Sequence, residues 1–196
     1  MHISRQPIRA HTAIRISRMQ WLVVVLLSFA FANLSAQVRA TEDDVKAAYL
    51  FNFGKFVRYP ADQLPATFDI CVLGRDPIQH SLEVIALNER VDDRPVRIRQ
   101  FDNPADARAC AIVYISGSEA ARIDKDIAAL QGSTALTVSD LPKFIEHGGM
   151  IQFLLQSNKL RFGVDLGPTM HARLSLSSEL LKVAVFVHAP PPQETP

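Results

Sequence analysis

The sequence predicts one α/β domain: a largely parallel, twisted sheet with helices on both faces, closed by a C-terminal antiparallel hairpin and a helix. Three observations carry this. The short runs "FDICVLG" and "AIVYIS" are apolar throughout, as strands buried on both faces are. Helix-length segments separate such runs, so strand and helix alternate. The last third changes to two runs of period-two alternation on either side of "QSNK", the pattern of a hairpin.

The first forty residues stand apart. Arg5, Arg9, Arg15 and Arg18 form a basic leader without an acidic residue, and the apolar run Trp21 to Ala32 follows. That run is shorter than the roughly 20 residues a membrane-spanning helix needs. The small residues of "NLSAQVRA" come next. This order predicts a secretory signal peptide over residues 1–40, cut after Ala40, with Ala36 the second choice; an uncleaved anchor is the competing reading. The leader holds five of the 21 Lys and Arg and none of the 20 Asp and Glu, so the mature chain carries a formal charge of −4. That excludes the basic footprint of a nucleic-acid binder. The 156 residues that remain fit a single domain with a core of its own, placed at 41–188.

"TEDDVKAAYLFNFGKFVRYP" predicts the first helix, capped by Thr41, favoured by three acidic residues in its first turn and ended by Pro60. "FDICVLG" is a buried strand. "DPIQHSLEVIALNER" is a helix with Ile78, Leu82, Ile85 and Ala86 on one face. "PVRIRQF" alternates more weakly and suits a strand nearer an edge. "AIVYIS" is the next buried strand, and Ser116 with Glu119 has the spacing of a capping box opening a helix that stops at Gly132. "TALTVS" is a further strand, and Asp140 caps a short helix ended by Gly148 and Gly149. In the hairpin, Ile151, Phe153 and Leu155 share one parity, as do Leu160, Phe162 and Val164. "TMHARLSLSSELLKVAVFV" closes the domain as a helix with Leu174, Leu181 and Val185 on one side. The tail 189–196, rich in proline, is expected to be disordered.

Catalytic and metal patterns are mostly missing. "VLGRDP" lacks the glycines of a dinucleotide loop, and Asp76 reads as the cap of a tight turn. "ISGSEA" lacks the pattern of a nucleophile elbow, so Ser116 and Ser118 read as caps. His80, His147, His171 and His188 have no zinc-ligand spacing. Neither a cofactor nor a metal is expected. Cys71 and Cys110 are the two cysteines, and an oxidising compartment makes a disulfide between them the leading reading, with two buried thiols the other.

The stretch "YLFNFGKFVRYP" packs five rings into twelve residues. Projected on a helix, Tyr49, Leu50, Phe53, Gly54, Phe56 and Val57 fall in one wide sector. Most of the rings are therefore core. Gly54 inside that sector predicts a close approach to the sheet. Phe51 and Tyr59 remain on the side shared with Lys55 and Arg58, a candidate docking edge. Lys159 and Arg161, on the outer face of the hairpin, are the second candidate partner surface.

In order along the chain, "KAAYLFNFGKFVRYP", "ICVLGRDP", "CAIVYIS", "LTVSD", "FIEHGGMI", "KLRFGVDL" and "LSLSSELLKVAVFV" resemble the YfiR family of periplasmic proteins over nearly all of the mature chain. The resemblance implies an α/β domain, homodimerisation and a non-enzymatic role. It implies repression of an inner-membrane diguanylate cyclase through its periplasmic sensor part. Relief comes when an outer-membrane lipoprotein sequesters the repressor, and cyclic di-GMP output and biofilm formation follow. Cys71 and Cys110 match a family disulfide. Some members carry a second cysteine pair in the last third, which this sequence lacks. A different reading is a periplasmic small-ligand carrier or sensor. Its ligand would sit beyond the carboxyl ends of the strands, at Gly74–Asp76, Ser116–Ser118 and Ser139–Asp140.

Overall fold

Thr41 opens the first helix, α1 (Glu42–Phe56), with a full capping box: its hydroxyl accepts from the Asp44 amide while Asp44 accepts from the Thr41 amide. The computed structural model describes residues 40–60 and 65–190. The expected signal peptide and the end of the proline-rich tail lie outside these described residues. No helix among the described residues is long and apolar enough to cross a membrane.

The elements that follow α1 are β1 (Val57–Arg58), β2 (Phe68–Leu73), α2 (Ile78–Ile85), β3 (Arg90–Val91), β4 (Arg94–Phe101) and β5 (Ile112–Ile115). Next come α3 (Ile123–Leu130), β6 (Leu136–Ser139), β7 (Ile151–Gln156), β8 (Lys159–Asp165), α4 (Leu166–His171), β9 (Ser175–Leu176), α5 (Ser178–Val183) and β10 (Val187–His188). Eight strands form the main sheet in the order β10-β8-β7-β6-β5-β2-β4-β3. The run from β4 through β2, β5 and β6 to β7 is parallel, and β7 and β8 form the antiparallel hairpin. Ser157 and Asn158 make its two-residue turn, both with positive φ, the geometry that matches the strand twist.

The period-two rule splits the core between the faces of the sheet. Ile70, Val72, Ile112 and Tyr114 pack beneath α1 and α2, whereas Cys71, Leu73, Val113 and Ile115 pack against α3. The expected helices on both faces are therefore present. Gly54 meets the sheet as its position predicts: a β-carbon there would lie 2.8 Å from Cζ of Phe68.

Four local expectations are corrected. α1 ends at Phe56, not at Pro60, because Val57 turns extended and pairs with Leu176, while Arg58 pairs with Ser175. Residues 117–122 are a 3-10 turn, and the α-helix starts only at Ile123. Ser116 caps that turn through the Ser118 amide, while Glu119 turns to Ser118 and Arg122, so the box stays half closed. Residues 141–148 form turns, not a helix, since Lys143 takes a left-handed φ of 62° and the Asp140 carboxylate is drawn to Lys46. The closing helix is two short ones, α4 and α5. Arg173, at φ 58°, ends the first segment, and Ser177 caps the second through the Leu180 amide. Outside the hairpin, β10 adds a parallel rung at the sheet edge.

Candidate functional site

Phe51 is not on an exposed border of α1. With Ala47, Leu50 and Gly54 it forms the buried stripe, 7% exposed, and the Lys55 ammonium caps its ring at 4.3 Å. Tyr59, released from the helix, is half-buried with its ring edge-on to Phe68 at 5.6 Å. Burial pushes its hydroxyl pKa up. These rings therefore do not form an open aromatic edge. Lys159 and Arg161 are exposed on β8. They border a hollow shared with Val45, Tyr49 and Leu155, and not with Phe51, Lys55 or Tyr59.

The aromatic surface that sequence reasoning missed lies one row over. Tyr49, Phe53 and Phe56 follow one another along α1, and the first two join Phe153 and Phe162 of the hairpin at ring separations of 5.1 to 6.0 Å. Beyond this cluster a groove of about 430 Å³ opens between α1 and α5, lined by Asn52, Phe56, Leu180 and Val183. Phe56 is 39% and Val183 59% exposed. The spacing of Tyr49, Phe53 and Phe56 was the available signal. It marks a helix row, but not which row the sheet covers.

The carboxyl ends of the parallel strands divide by face. β4 and β5 flank β2 on opposite sides, so the order reverses between β2 and β5, where open α/β sheets take ligands. Here the protein's own side chains occupy that crevice. Ser116 donates to the Arg75 carbonyl at 2.8 Å, Ser118 accepts from the Arg75 amide at 3.1 Å, and Glu119 is buried between Ser118 and Arg122. Gly74 leaves no room for a side chain against Ser118 and Glu119. Below it, Cys71 and Cys110 form a disulfide with α-carbons 6.1 Å apart, buried on the α3 face.

On the α1 face, the Lys46 ammonium is buried and bridges Glu42 at 2.8 Å and Asp140 at 2.6 Å. Its hydrogen bonds to Asp140 and Glu42 outweigh the desolvation and hold its pKa above the ordinary lysine value. Tyr114 is fully buried, with its hydroxyl beside the Asp140 carboxylate. The histidines are dispersed: His147 pairs with Asp124 at 2.6 Å, and His188 stacks on Phe186 at 4.8 Å. Among the described residues no group of three His, Cys, Asp or Glu could hold a metal ion.

Residues 43–185 match the model of a family described as YfiR/HmsC-like. The chain belongs to the YfiR/HmsC-like family. The match spans α1 through α5 and so covers both strand ends and the groove. This YfiR/HmsC-like chain also resembles the crystal structure of a conserved domain protein from Vibrio cholerae. The TM-score is 0.53 at 10% identity, over 75% of this chain and 60% of that one. At that identity the likeness is one of fold. No curated protein matches the chain significantly.

Proposed function

We propose that this protein is a periplasmic, non-enzymatic regulator that binds the periplasmic part of an inner-membrane sensor, a diguanylate cyclase, and holds it inactive. Control of cyclic di-GMP and of biofilm formation follows from that contact. The reading rests on membership of the YfiR/HmsC-like family, a periplasmic regulatory family, over residues 43–185. It includes a homodimer as the acting form and an outer-membrane lipoprotein as the partner that relieves repression.

Repression by contact needs the inactive state of the sensor to bind this protein better than the active state does. A roughly 100-fold preference, about 2.7 kcal/mol, shifts output considerably. The groove edged by Phe56 and Val183 supports such a contact, because its exposed apolar side chains lie beside a rigid aromatic cluster. Lys159 and Arg161 offer a charged rim on the neighbouring hollow. Deleting the gene and measuring cyclic di-GMP tests the reading. A rise is expected, and an unchanged level in every growth condition would refute it. Affinity capture from membranes, with and without reductant, identifies the sensor.

A further inference from the structure

α3 ends at Leu130, and the chain leaves it through Gln131, extended at ψ 142°, and Gly132, at φ 73°. α4 begins only after β8 and is short. Between these two helices, beside Thr137 of β6, lies a hollow of about 430 Å³. It sits toward the amino end of β6, the opposite end of the sheet from the crevice that Ser116, Ser118 and Glu119 fill. Small residues make the room: Gly132, Ser133, Ala135, Gly148 and Ala172 all border it. Its walls are apolar side chains, among them Ile127, Leu130 and Met150, each at most 7% exposed. Gln131 and His171, both exposed, stand at its mouth.

One buried polar side chain faces this hollow. Thr137 is 4% exposed, and the period-two rule turns it away from Leu136 and Val138, which pack beneath α1. Its oxygen accepts the Met150 amide at 3.2 Å, but among the described residues its own proton meets no acceptor. A threonine hydroxyl donates as well as accepts, so one donor is left beside an apolar space. The other hydrogen-bonding groups here are spent. The Ser133 hydroxyl donates to the Leu130 carbonyl at 2.7 Å, and Arg108 takes up the carbonyls of Ala129 and Gln131. Among the described residues no Asp, Glu, Lys or Arg side chain lines the hollow, so nothing there balances a charged occupant. Its volume and lining are those of a small-molecule site, roughly 300–1,000 Å³ with apolar walls and a few placed polar groups.

We propose that the hollow binds a small uncharged molecule with an apolar, ring-sized body and one oxygen acceptor, which takes the Thr137 proton. The site does not depend on the regulatory reading, since occupancy is read at its own walls and not through cyclic di-GMP. Acetophenone is the probe, with ethylbenzene as the isostere lacking the oxygen and benzoate as the charged analogue. Each is titrated into the purified protein, expressed from its full coding sequence, while methyl NMR signals are followed. Acetophenone is expected to shift the methyls of Ile127, Leu130, Thr137 and Met150 saturably and to bind at least fivefold more tightly than ethylbenzene. Benzoate should leave them unmoved. Thr137→Ser should keep the preference for acetophenone, and Thr137→Val should bring the two neutral ligands level. Thr137→Val also strips the Met150 amide of its acceptor. Should it fold poorly, Ala172→Leu, which fills the hollow, decides: both neutral ligands should lose at least tenfold in affinity. Shifts that do not saturate, or that fall elsewhere on the surface, overturn the proposal. So does benzoate binding as tightly as acetophenone, or undiminished binding in Ala172→Leu. A preference for acetophenone below fivefold in the wild type would also overturn it, by leaving the Thr137 proton to a buried water only.

Discussion

Gly54 of α1 lies directly against the ring of Phe68 on β2, with a β-carbon position 2.8 Å from Cζ and 2.9 Å from Cε1. That ring is fully buried, with Tyr59 edge-on to it and Arg94 over its face at 5.2 Å, so it has nowhere to move. Gly54→Ala gains about 1 kcal/mol of helix propensity and incurs an overpacking cost of about 1–3 kcal/mol. A net loss of stability is expected, read as a lower urea midpoint at unchanged slope.

Cys71 and Cys110 close a loop with a sequence separation of 39. In the chain-entropy model such a bond contributes about 4 kcal/mol. Replacing both with alanine is expected to lower the unfolding free energy by that order. The wild type in reductant should move toward the same midpoint, and the double variant should not respond to reductant at all.

Ser157 and Asn158 hold left-handed angles, φ 49° and 59°, in the hairpin turn. Asn-Gly suits that turn better than Ser-Asn. Ser157→Asn combined with Asn158→Gly is expected to raise stability by about 0.5–1 kcal/mol, checked by thermal unfolding.

Asp126 is 1% exposed, and burial holds its carboxyl above the usual 3.8 despite Arg122 Nε at 3.5 Å. With a raised value, the folded state binds the proton more tightly than the unfolded chain does. The charged form therefore disfavours folding above the raised value. That penalty disappears as pH falls through it toward 3.8. Asp126→Asn is expected to stabilise the protein at neutral pH by up to about 1 kcal/mol, with the gain shrinking toward pH ~4. Urea midpoints across pH give the curve.

Val183 and Phe56 edge the groove proposed for the membrane partner. Val183→Glu places a charge on a surface position that is 59% exposed. Sensor capture is expected to fall at least tenfold while Tm changes little. Lys159→Glu with Arg161→Glu tests the neighbouring hollow in the same assay. Wild-type capture by both variants would move the contact elsewhere.

The elements that read correctly from sequence are those whose signal is local. β2 and β5 are apolar at every position because both of their faces are covered. Thr41 caps because Asp44 stands three residues on. The hairpin itself is found where the sequence expects it, but its burial grades along its length. Ile151, Gln152 and Phe153 are buried at the base with Phe162, Gly163 and Val164, whereas Leu155 near the tip, expected on the same buried parity, is 62% exposed. The misread elements depend on distant partners. Phe51 is in and Phe56 out because α1 packs beside α2 on one flank and faces the α5 groove on the other, which a helical projection of one segment cannot contain. The "LSLSSELL" stretch keeps helical periodicity, yet Leu176 is taken by Val57 and Ser177 starts a new helix. Tyr114 reads as one more apolar strand residue. Its acidic neighbours Asp43, Asp76 and Asp140 come from α1, the turn before α2 and the residue after β6.

The two rungs between β1 and β9 fasten the exit of α1 to residues far along the chain. Synthesis delivers a polypeptide amino end first. Docking of the leading helix therefore cannot be latched until Leu176 has emerged. The exit of α1 is thus held by a contact of long sequence separation, which closes only after most of the domain has been made.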